Sequence, residues 1–466
     1  MAKSKVVYIC QQCGYESLKW MGKCPDCNNW NSFGEVLVDP KKSASNKSAV
    51  TTKRKPIKKL SEVTSSNSDR IVTDISEFNR VMGGGIVKDS ITIITAKPGA
   101  GKSTLLLQVA DDVSSKGHKV IYASGEESDS QIKNRADRIL DKINDNIWIV
   151  SDTSLNNVIA SIDEVNPDLI IVDSIQTFTL EEYLPSRAGS PTQTMECANE
   201  LLKIAKNSER PRAVILVGQM NKNEEIAGLR SLEHLVDTVL IIDGENEEEL
   251  RALQSSKNRF GGTGEIGFFG MTENGMESID NPSEFFMTKR EEGETVSGNA
   301  LTVVREGSRP IILEVESLVS NSFTPFPSRI GENLGKDQLN TLVSILEQRG
   351  GINLFNKNVV IKITGGLRLR EQAINLAVIM SIVSSVYNKG IPNDVVFIAD
   401  VGLTGELKKV PSLEARIREL DRMGFKKVYV AKNAFSRPVK FNNIKVMDFK
   451  TLSQVIGHVF GNMNIR

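Results

Sequence analysis

The stretch Ile91–Leu107 reads ITIITAKPGAGKSTLLL, and the rest of the chain is read outward from it. Ile91 to Thr95 are apolar or β-branched and predict a buried strand. Ala96, Lys97, Pro98, Gly99, Ala100 and Gly101 follow as a tight loop, and Lys102-Ser103-Thr104 opens an apolar helix. That order is the one a P-loop needs. Backbone N–H groups of Gly99 to Lys102 can wrap a triphosphate at a helix N-terminus, where unpaired donors and the helix dipole both favour negative charge. Lys102 then reaches the β- and γ-phosphates, and the Ser103 hydroxyl ligates Mg²⁺. Loops with this spacing occur by chance, but a strand before and a helix after argue against chance here. The first glycine of the GxxxxGK[ST] pattern is Ala96, a small departure that leaves room for the turn. Nucleotide binding, with ATP as the expected cofactor, is the anchor.

At 466 residues the chain is too long for one core, and at about 100–200 residues per domain it predicts two or three. With 39% hydrophobic and 25% charged residues it has an ordinary globular composition. No apolar run reaches the roughly 18 residues of a membrane span. The opening MAKSKVVYIC lacks an apolar signal region, so a cytoplasmic chain with no membrane partner is expected. Net charge is zero but unevenly spread. Residues 1–70 hold thirteen Lys and Arg against six Asp and Glu, and eight of the cations fall between Lys41 and Lys59 with no acid among them. Such a run is a solvated linker or a contact for phosphate backbones.

Four of the five cysteines form Cys10-x-x-Cys13 and Cys24-x-x-Cys27, with ten residues between the pairs. Two such knuckles supply four thiolates for a tetrahedral, structural Zn²⁺ in a ribbon too small to fold on a hydrophobic core. Disulfides are the competing reading, and the reduced thiols of a cytosolic chain favour zinc. Trp20 and Trp30 are expected as its hydrophobic cover, and Cys197, remote from the rest, as a small buried apolar residue. The expected division is a zinc ribbon over 1–37 and a flexible basic linker over 38–69. A P-loop core of α/β type follows over 70–285, then a connecting segment over 286–330 and a further domain over 331–466.

After the P-loop, apolar strands recur at Val120 to Ala123, Ile147 to Val150, Leu169 to Val172, Ala213 to Val217 and Thr238 to Ile242. Polar helical segments separate most of them, which predicts a largely parallel sheet with ligands beyond the carboxyl ends of its strands. Leu169-Ile170-Ile171-Val172 ends in Asp173, a Walker B acid for Mg²⁺. Val120 to Ala123 leads into Ser124-Gly125-Glu126-Glu127. One of these acids would orient and deprotonate the attacking water, and Glu126 is chosen because it comes first off the strand. In Lys257-Asn258-Arg259-Phe260-Gly261 an extended backbone puts Lys257 and Arg259 on one face. Two cations there suit a γ-phosphate, and with Lys102 already in place they are expected to serve a neighbouring subunit.

These residues together resemble the RadA (Sms) family of bacterial DNA-repair proteins over nearly the whole chain. The resemblance is carried by ICQQCGYESLKWMGKCPDCNNWN, EFNRVMGGGIV, KPGAGKSTLLLQ, SGEES, VDSIQT, LEHLVDTVL, KNRFG and VGLTGE, with KNRFG the most specific. It implies a zinc finger, a RecA-like ATPase core and a C-terminal α+β domain shaped like the Lon peptidase domain. It also implies Lys257 and Arg259 as paired trans-acting fingers and Glu126 as catalytic glutamate. The implied assembly is a hexameric ring on single-stranded DNA that drives branch migration of branched recombination intermediates, in partnership with a RecA-type recombinase. Beside Ala96 there is one further departure: the family's GHVTK is Gly218-Gln219-Met220-Asn221-Lys222 here, which puts coupling rather than binding in question. The expected DNA-facing loops are 184–194, with Arg187, and 219–230, with Lys222 and Arg230; both would grip backbone without reading bases.

In the last domain Asp337 to Arg349 reads as amphipathic, Val359 to Thr364 as a strand and Ala373 to Val386 as a buried helix. A Lon-type peptidase needs a serine nucleophile and a lysine base. The position resembling the serine is Ala373, and Ser412-Leu413-Glu414-Ala415 offers no lysine, so a scaffold is expected in place of a protease. Arg368, Arg370, Arg416, Arg418 and Lys426 are expected to give it a basic surface. These features predict a DNA-dependent ATPase motor; the rivals are an ATP-dependent protease and a regulatory ATPase that binds a protein partner.

Overall fold

The computed structural model describes residues 5–10, 15–17, 19–25, 30, 32–38, 59–62, 70–219, 230–244, 250–288, 290–291, 294–363 and 371–461. They fall into two compact units, Met1–Asp280 and Asn281–Arg466.

In the first unit the P-loop strand Ile91–Ala96 is buried at every position. Its unbroken apolar run follows from a parallel sheet covered on both faces. Ala213–Gln219 lies on one side of it, followed outward by Leu169–Asp173, Val120–Ser124 and Ile147–Ser151, all parallel. On its other side lies Thr238–Asp243, also parallel, and then Leu250–Asn258, Ile266–Thr272 and Gly275–Ser278, all antiparallel. Each of the five strands expected after the P-loop is present within two residues at either end. One face packs Ile94 and Ala96 with Leu106, Val109 and Val113 of the P-loop helix Lys102–Ser115. The other packs Ile91 and Ile93 with Cys197, Ala198 and Leu201 of the helix Pro191–Ala205. Cys197 is thus the small core residue expected of it, and burial pushes its thiol up to about 12.

The helix Ser76–Met82 ends at Gly83, whose left-handed backbone (φ 78°) lets its N–H bond the Arg80 carbonyl. A side chain here would meet Gly261 Cα at 2.9 Å, and one on Gly261 would meet Gly83 Cα at 2.8 Å. The two glycines let the turn after this helix touch the backbone of the KNRFG stretch directly. Asn258 Nδ2 donating to the Val81 carbonyl (3.1 Å) and Arg70 donating to the Phe260 carbonyl (2.9 Å) complete the join. Lys257 and Arg259 therefore sit on a rigid mount.

The second unit corrects two expectations. Residues 286–330 do not connect domains: Asn299–Glu306 and Arg309–Asn321 form a hairpin inside a seven-stranded sheet. The apolar run Ile311-Ile312-Leu313, with Val315 after it, is the signal that a linker reading overlooks. Lys357–Ile363 and the helix Asn375–Tyr387 are where the pattern places them, the helix burying ten side chains. Arg416 is not surface. It is 1% exposed, donates to the Val303 carbonyl at 2.6 Å and pairs with Glu371. Arg418 and Lys426 do face solvent, paired with Glu414 and Asp394, while Arg368 and Arg370 lie outside the described residues. No helix among the described residues is long and apolar enough to cross a membrane.

Candidate active site

Ala96 is the last residue of its strand, paired with Ile242 and Gln219 and fully buried. Left-handed backbone is needed only later, at Gly99 (φ 81°) and Gly101 (φ 99°). The departure from the glycine pattern therefore falls where an extended backbone accepts any small residue, and it costs the loop nothing. The helix that follows has no side-chain cap, so its first-turn N–H groups face the loop as an anion site. Lys102 Nζ folds back to donate to the carbonyls of Ala96 (3.1 Å) and Lys97 (3.4 Å). Burial lowers the pKa of this amine, while Asp173 and Glu126 raise it.

Ser103 and Asp173 meet at the head of the loop, Ser103 Oγ donating to Asp173 Oδ2 at 2.7 Å. Tyr122 OH donates to the same oxygen at 2.6 Å, and burial with the nearby carboxylate holds this phenol well above its ordinary pKa. A hydroxyl and a carboxylate oxygen in contact are a hard, oxygen-only donor pair, and they fit Mg²⁺. Burial raises the pKa of Asp173 despite the hydrogen bonds from Tyr122 and Ser103, and Glu126 and Glu127 push the same way.

A raised native-state pKa means that the fold binds this proton more tightly than the unfolded chain does. Stability is then lost as pH rises from the ordinary carboxylate value through the raised one, so near pH 7 the ionised Asp173 is a net cost. Asp173→Asn is expected to melt higher than wild type at neutral pH without nucleotide. ATP turnover is expected to vanish in the same variant. The gain in melting temperature should close below about pH 4, where the wild-type carboxyl is protonated in both states. Thermal melts across pH check both signs.

Glu126 and Glu127 separate cleanly. Both oxygens of Glu127 are held by Arg135, eight residues on in the helix Asp129–Ile139 (Nη1 to Oε2, 2.7 Å). Glu126 points to the gap between strands, where its Oε1 accepts from Ser174 Oγ at 2.5 Å and Gln219 Nε2 at 2.8 Å. Gly125 allows this, because a Cβ there would lie 2.2 Å from Thr177 Oγ1. Gln219 touches Glu126 from the end of the strand Ala213–Gln219, just before residues 220–229, which lie outside the described residues. Tyr122, Ser174 and Arg135 were missed. Tyr122 and Ser174 look in sequence like an ordinary strand residue and a loop serine, while a bidentate partner eight residues away leaves no periodic trace.

Lys257 and Arg259 stand at the other end of the sheet. Asn258 pairs with Thr238, and Thr238 with Thr92, at the amino ends of the parallel strands. The P-loop leaves from their carboxyl ends, a strand length of roughly 17 Å away. Lys257 Nζ donates to the carbonyls of Glu233 and Val236 (2.7 Å to the latter), at the end of the helix Arg230–Leu235. Arg259 Nη1 lies 3.1 Å from Asp237 Oδ1. The two cations are therefore not brought to the P-loop of their own chain.

Of the expected DNA-facing residues, Arg187 is exposed on a loop braced by Gln193, whose Nε2 donates to the carbonyls of Leu180 and Ser186 at 3.1 Å. Arg230 begins a helix, and Lys222 lies outside the described residues.

In the ribbon, Cys10 and Cys24 are buried, and Cys10 Sγ lies 3.2 Å from Ser32 Oγ; Cys13 and Cys27 lie outside the described residues. Cys10 ends the strand Lys5–Cys10 and Cys24 follows Lys23, which bridges Trp30; two buried soft thiol donors fit zinc. Trp20 and Trp30 are not the cover expected of them, being 55% and 72% exposed. The thiols and Ser32 occupy the interior of so small a module. The indoles are left outside it, both beside Gly22, with the Lys23 amine 5.8 Å from the Trp30 ring centroid.

Comparison with known proteins agrees with this geometry. A family model described as Rubredoxin metal binding domain matches residues 8–35, and one described as AAA domain matches residues 57–225. The DNA repair protein RadA of Bacillus subtilis (strain 168) is 41% identical over 462 residues, covering 98% of the chain and 99% of that protein. Its counterpart in Listeria monocytogenes is 40% identical over 460 residues, 98% of the chain and 99% of that protein. That of Streptococcus pyogenes serotype M3 is 41% identical over 460 residues, 99% of the chain and all of that protein. With a metal ribbon, a P-loop ATPase core and identity sustained from end to end, the chain belongs to the RadA family of DNA repair proteins.

Proposed function

We propose that this protein is a DNA-dependent ATPase motor of recombinational repair, which grips single-stranded DNA and moves branch points in recombination intermediates. The observation that carries the reading is the pair of half-sites at opposite ends of one sheet. Lys102, Ser103, Asp173 and Glu126 meet at the carboxyl ends of the strands, and Lys257 and Arg259 are mounted at the amino ends. A head-to-tail ring brings the two halves together at every interface.

In this reading the P-loop N–H groups and Lys102 hold the triphosphate. Mg²⁺ at Ser103 and Asp173 would supply charge neutralisation at the β- and γ-oxygens. Glu126 accepts a proton from the attacking water, and the neighbour's Lys257 and Arg259 meet the charge that develops on the leaving phosphates. Gln219 ties Glu126 to the residues leading into 220–229, a candidate DNA loop, so that strand contact alters the aim of the base. The exposed Arg187 adds a sequence-independent backbone contact. The zinc ribbon and the basic stretch from Lys41 to Lys59 supply a docking arm for DNA or for a RecA-type recombinase. Asn281–Arg466, read as a Lon-like domain, acts as a scaffold for a hexameric ring, with buried Ala373 where a peptidase would need its serine.

Steady-state phosphate release with and without single-stranded DNA tests this. Turnover is expected to rise about tenfold or more on adding the strand, a gain of about 1.4 kcal/mol in transition-state stabilisation. Normal ATP turnover that DNA leaves unchanged would overturn the reading and favour a regulatory ATPase.

A further inference from the structure

Asp237 takes no part in the chemistry above, yet it is only 3% exposed and its polar contacts converge on one task. Its Oδ1 accepts from Arg259 Nη1 at 3.1 Å, and its Oδ2 accepts from the Ile91 N–H (3.1 Å) and lies 2.9 Å from Lys206 Nζ. Its own N–H donates to the Ile91 carbonyl (2.8 Å), and its carbonyl accepts from the Arg259 N–H (3.1 Å). A carboxylate this closed off persists only when cations and N–H groups meet both oxygens. Arg259, by contrast, is 57% exposed, held by one guanidinium nitrogen with the rest facing solvent. A long, exposed arginine loses rotamer freedom when it must meet a phosphate, and anchoring it beforehand removes that loss from the reaction.

Asp237 also joins Arg259 to the first residue of the P-loop strand. Ile91 begins the strand at the Asp237 end, and Ala96 closes it at the phosphate end. Each subunit thus carries a nucleotide cradle at one end of a single buried strand and a finger anchor at the other.

We propose that Asp237 is a positioning residue for ATP hydrolysis: it fixes Arg259 against the P-loop strand of its own subunit and presents the guanidinium, already oriented, to the γ-phosphate bound by the neighbouring subunit. The inference rests on the reading of Lys257 and Arg259 as trans-acting. Lys206 and the Ile91 N–H neutralise the second oxygen, so the first is committed to Arg259. Loss of the anchor leaves the nucleotide cradle of the same subunit intact and impairs the site next door.

The test is mixing of inactive variants. Asp237→Asn keeps the shape and removes the charge. Alone, it is expected to retain binding of a fluorescent ATP analogue and to lose about 10²-fold in DNA-stimulated turnover, as a misplaced catalytic group does. Lys102→Ala lacks the cradle but keeps the fingers. In rings assembled from equal amounts of the two, turnover should return to about one quarter of wild type, the share of head-to-tail interfaces at which the intact halves meet. A merely structural role gives no such return. A wild-type rate for Asp237→Asn alone would overturn the proposal, and so would mixed rings that stay inactive while Arg259→Ala mixed with Lys102→Ala recovers. If neither mixture recovers, the trans-acting reading itself fails. Should Asp237→Asn not fold, Asp237→Glu, which keeps the charge but displaces it, carries the same test.

Discussion

Lys102→Ala is expected to lower ATP turnover by roughly 10²–10³-fold, the cost of removing one pre-organised charge from a phosphoryl-transfer site. The amine donates to the carbonyls of Ala96 and Lys97, and burial disfavours its charged form there. A triphosphate supplies the counter-charge that these neutral carbonyls do not. Removal of the side chain takes away phosphate binding and one donor from each carbonyl, that of exposed Lys97 and that of buried Ala96. The variant should melt close to the wild-type temperature while failing both in nucleotide binding and in phosphate release. A fluorescent ATP analogue and a thermal melt on the same sample check both halves. A turnover loss accompanied by a lower melting temperature would point to a folding defect instead.

Glu126→Gln has the second-largest expected effect, a loss of about 10²–10⁴-fold in turnover with ATP still bound, because the general base goes and the phosphate cradle stays. Glutamine keeps an oxygen for Ser174 and Gln219, so the strand ends should not rearrange. Glu127→Gln makes the contrasting variant. It breaks a two-point pair with Arg135 and should show mainly as a loss of stability, with a smaller effect on turnover. If Glu127→Gln is the slower enzyme of the two, the base has been assigned to the wrong carboxylate.

Much of the site was legible because P-loop chemistry is local. The loop, its strand and its helix are contiguous, and Asp173 lies at the end of an apolar run that can be read as a strand on its own. The choice between Glu126 and Glu127 was legible only as an order along the chain. Its physical basis is Arg135, a contact across a turn that no periodicity announces. Ala96 stands out as a departure because the glycine pattern does not say which glycines need left-handed backbone; the structure puts that need at Gly99 and Gly101. Trp20 and Trp30 were misplaced because large aromatics are usually core, whereas a ribbon built around thiols has no room for indoles. Arg416 was misplaced for the opposite reason: a charged residue reads as surface unless its partners, here Glu371 and the Val303 carbonyl, can be seen. The hairpin within 286–330 carries no chemical motif, and its strands show only as short apolar runs interrupted by charges.

What remained beyond the sequence was direction. Period-two spacing put Lys257 and Arg259 on a common face, but only the register of Asn258 with Thr238, and of Thr238 with Thr92, puts them at the end of the sheet away from Lys102. The proposed sharing of sites between subunits rests on that placement. The most direct measurement is DNA-stimulated phosphate release from rings assembled with equal amounts of Lys102→Ala and Arg259→Ala, each inactive alone. Sites built from two subunits predict a return to about one quarter of the wild-type rate, from interfaces that pair an intact cradle with an intact finger. A mixture as inactive as its components, with both variants shown to enter the same rings, would contradict it.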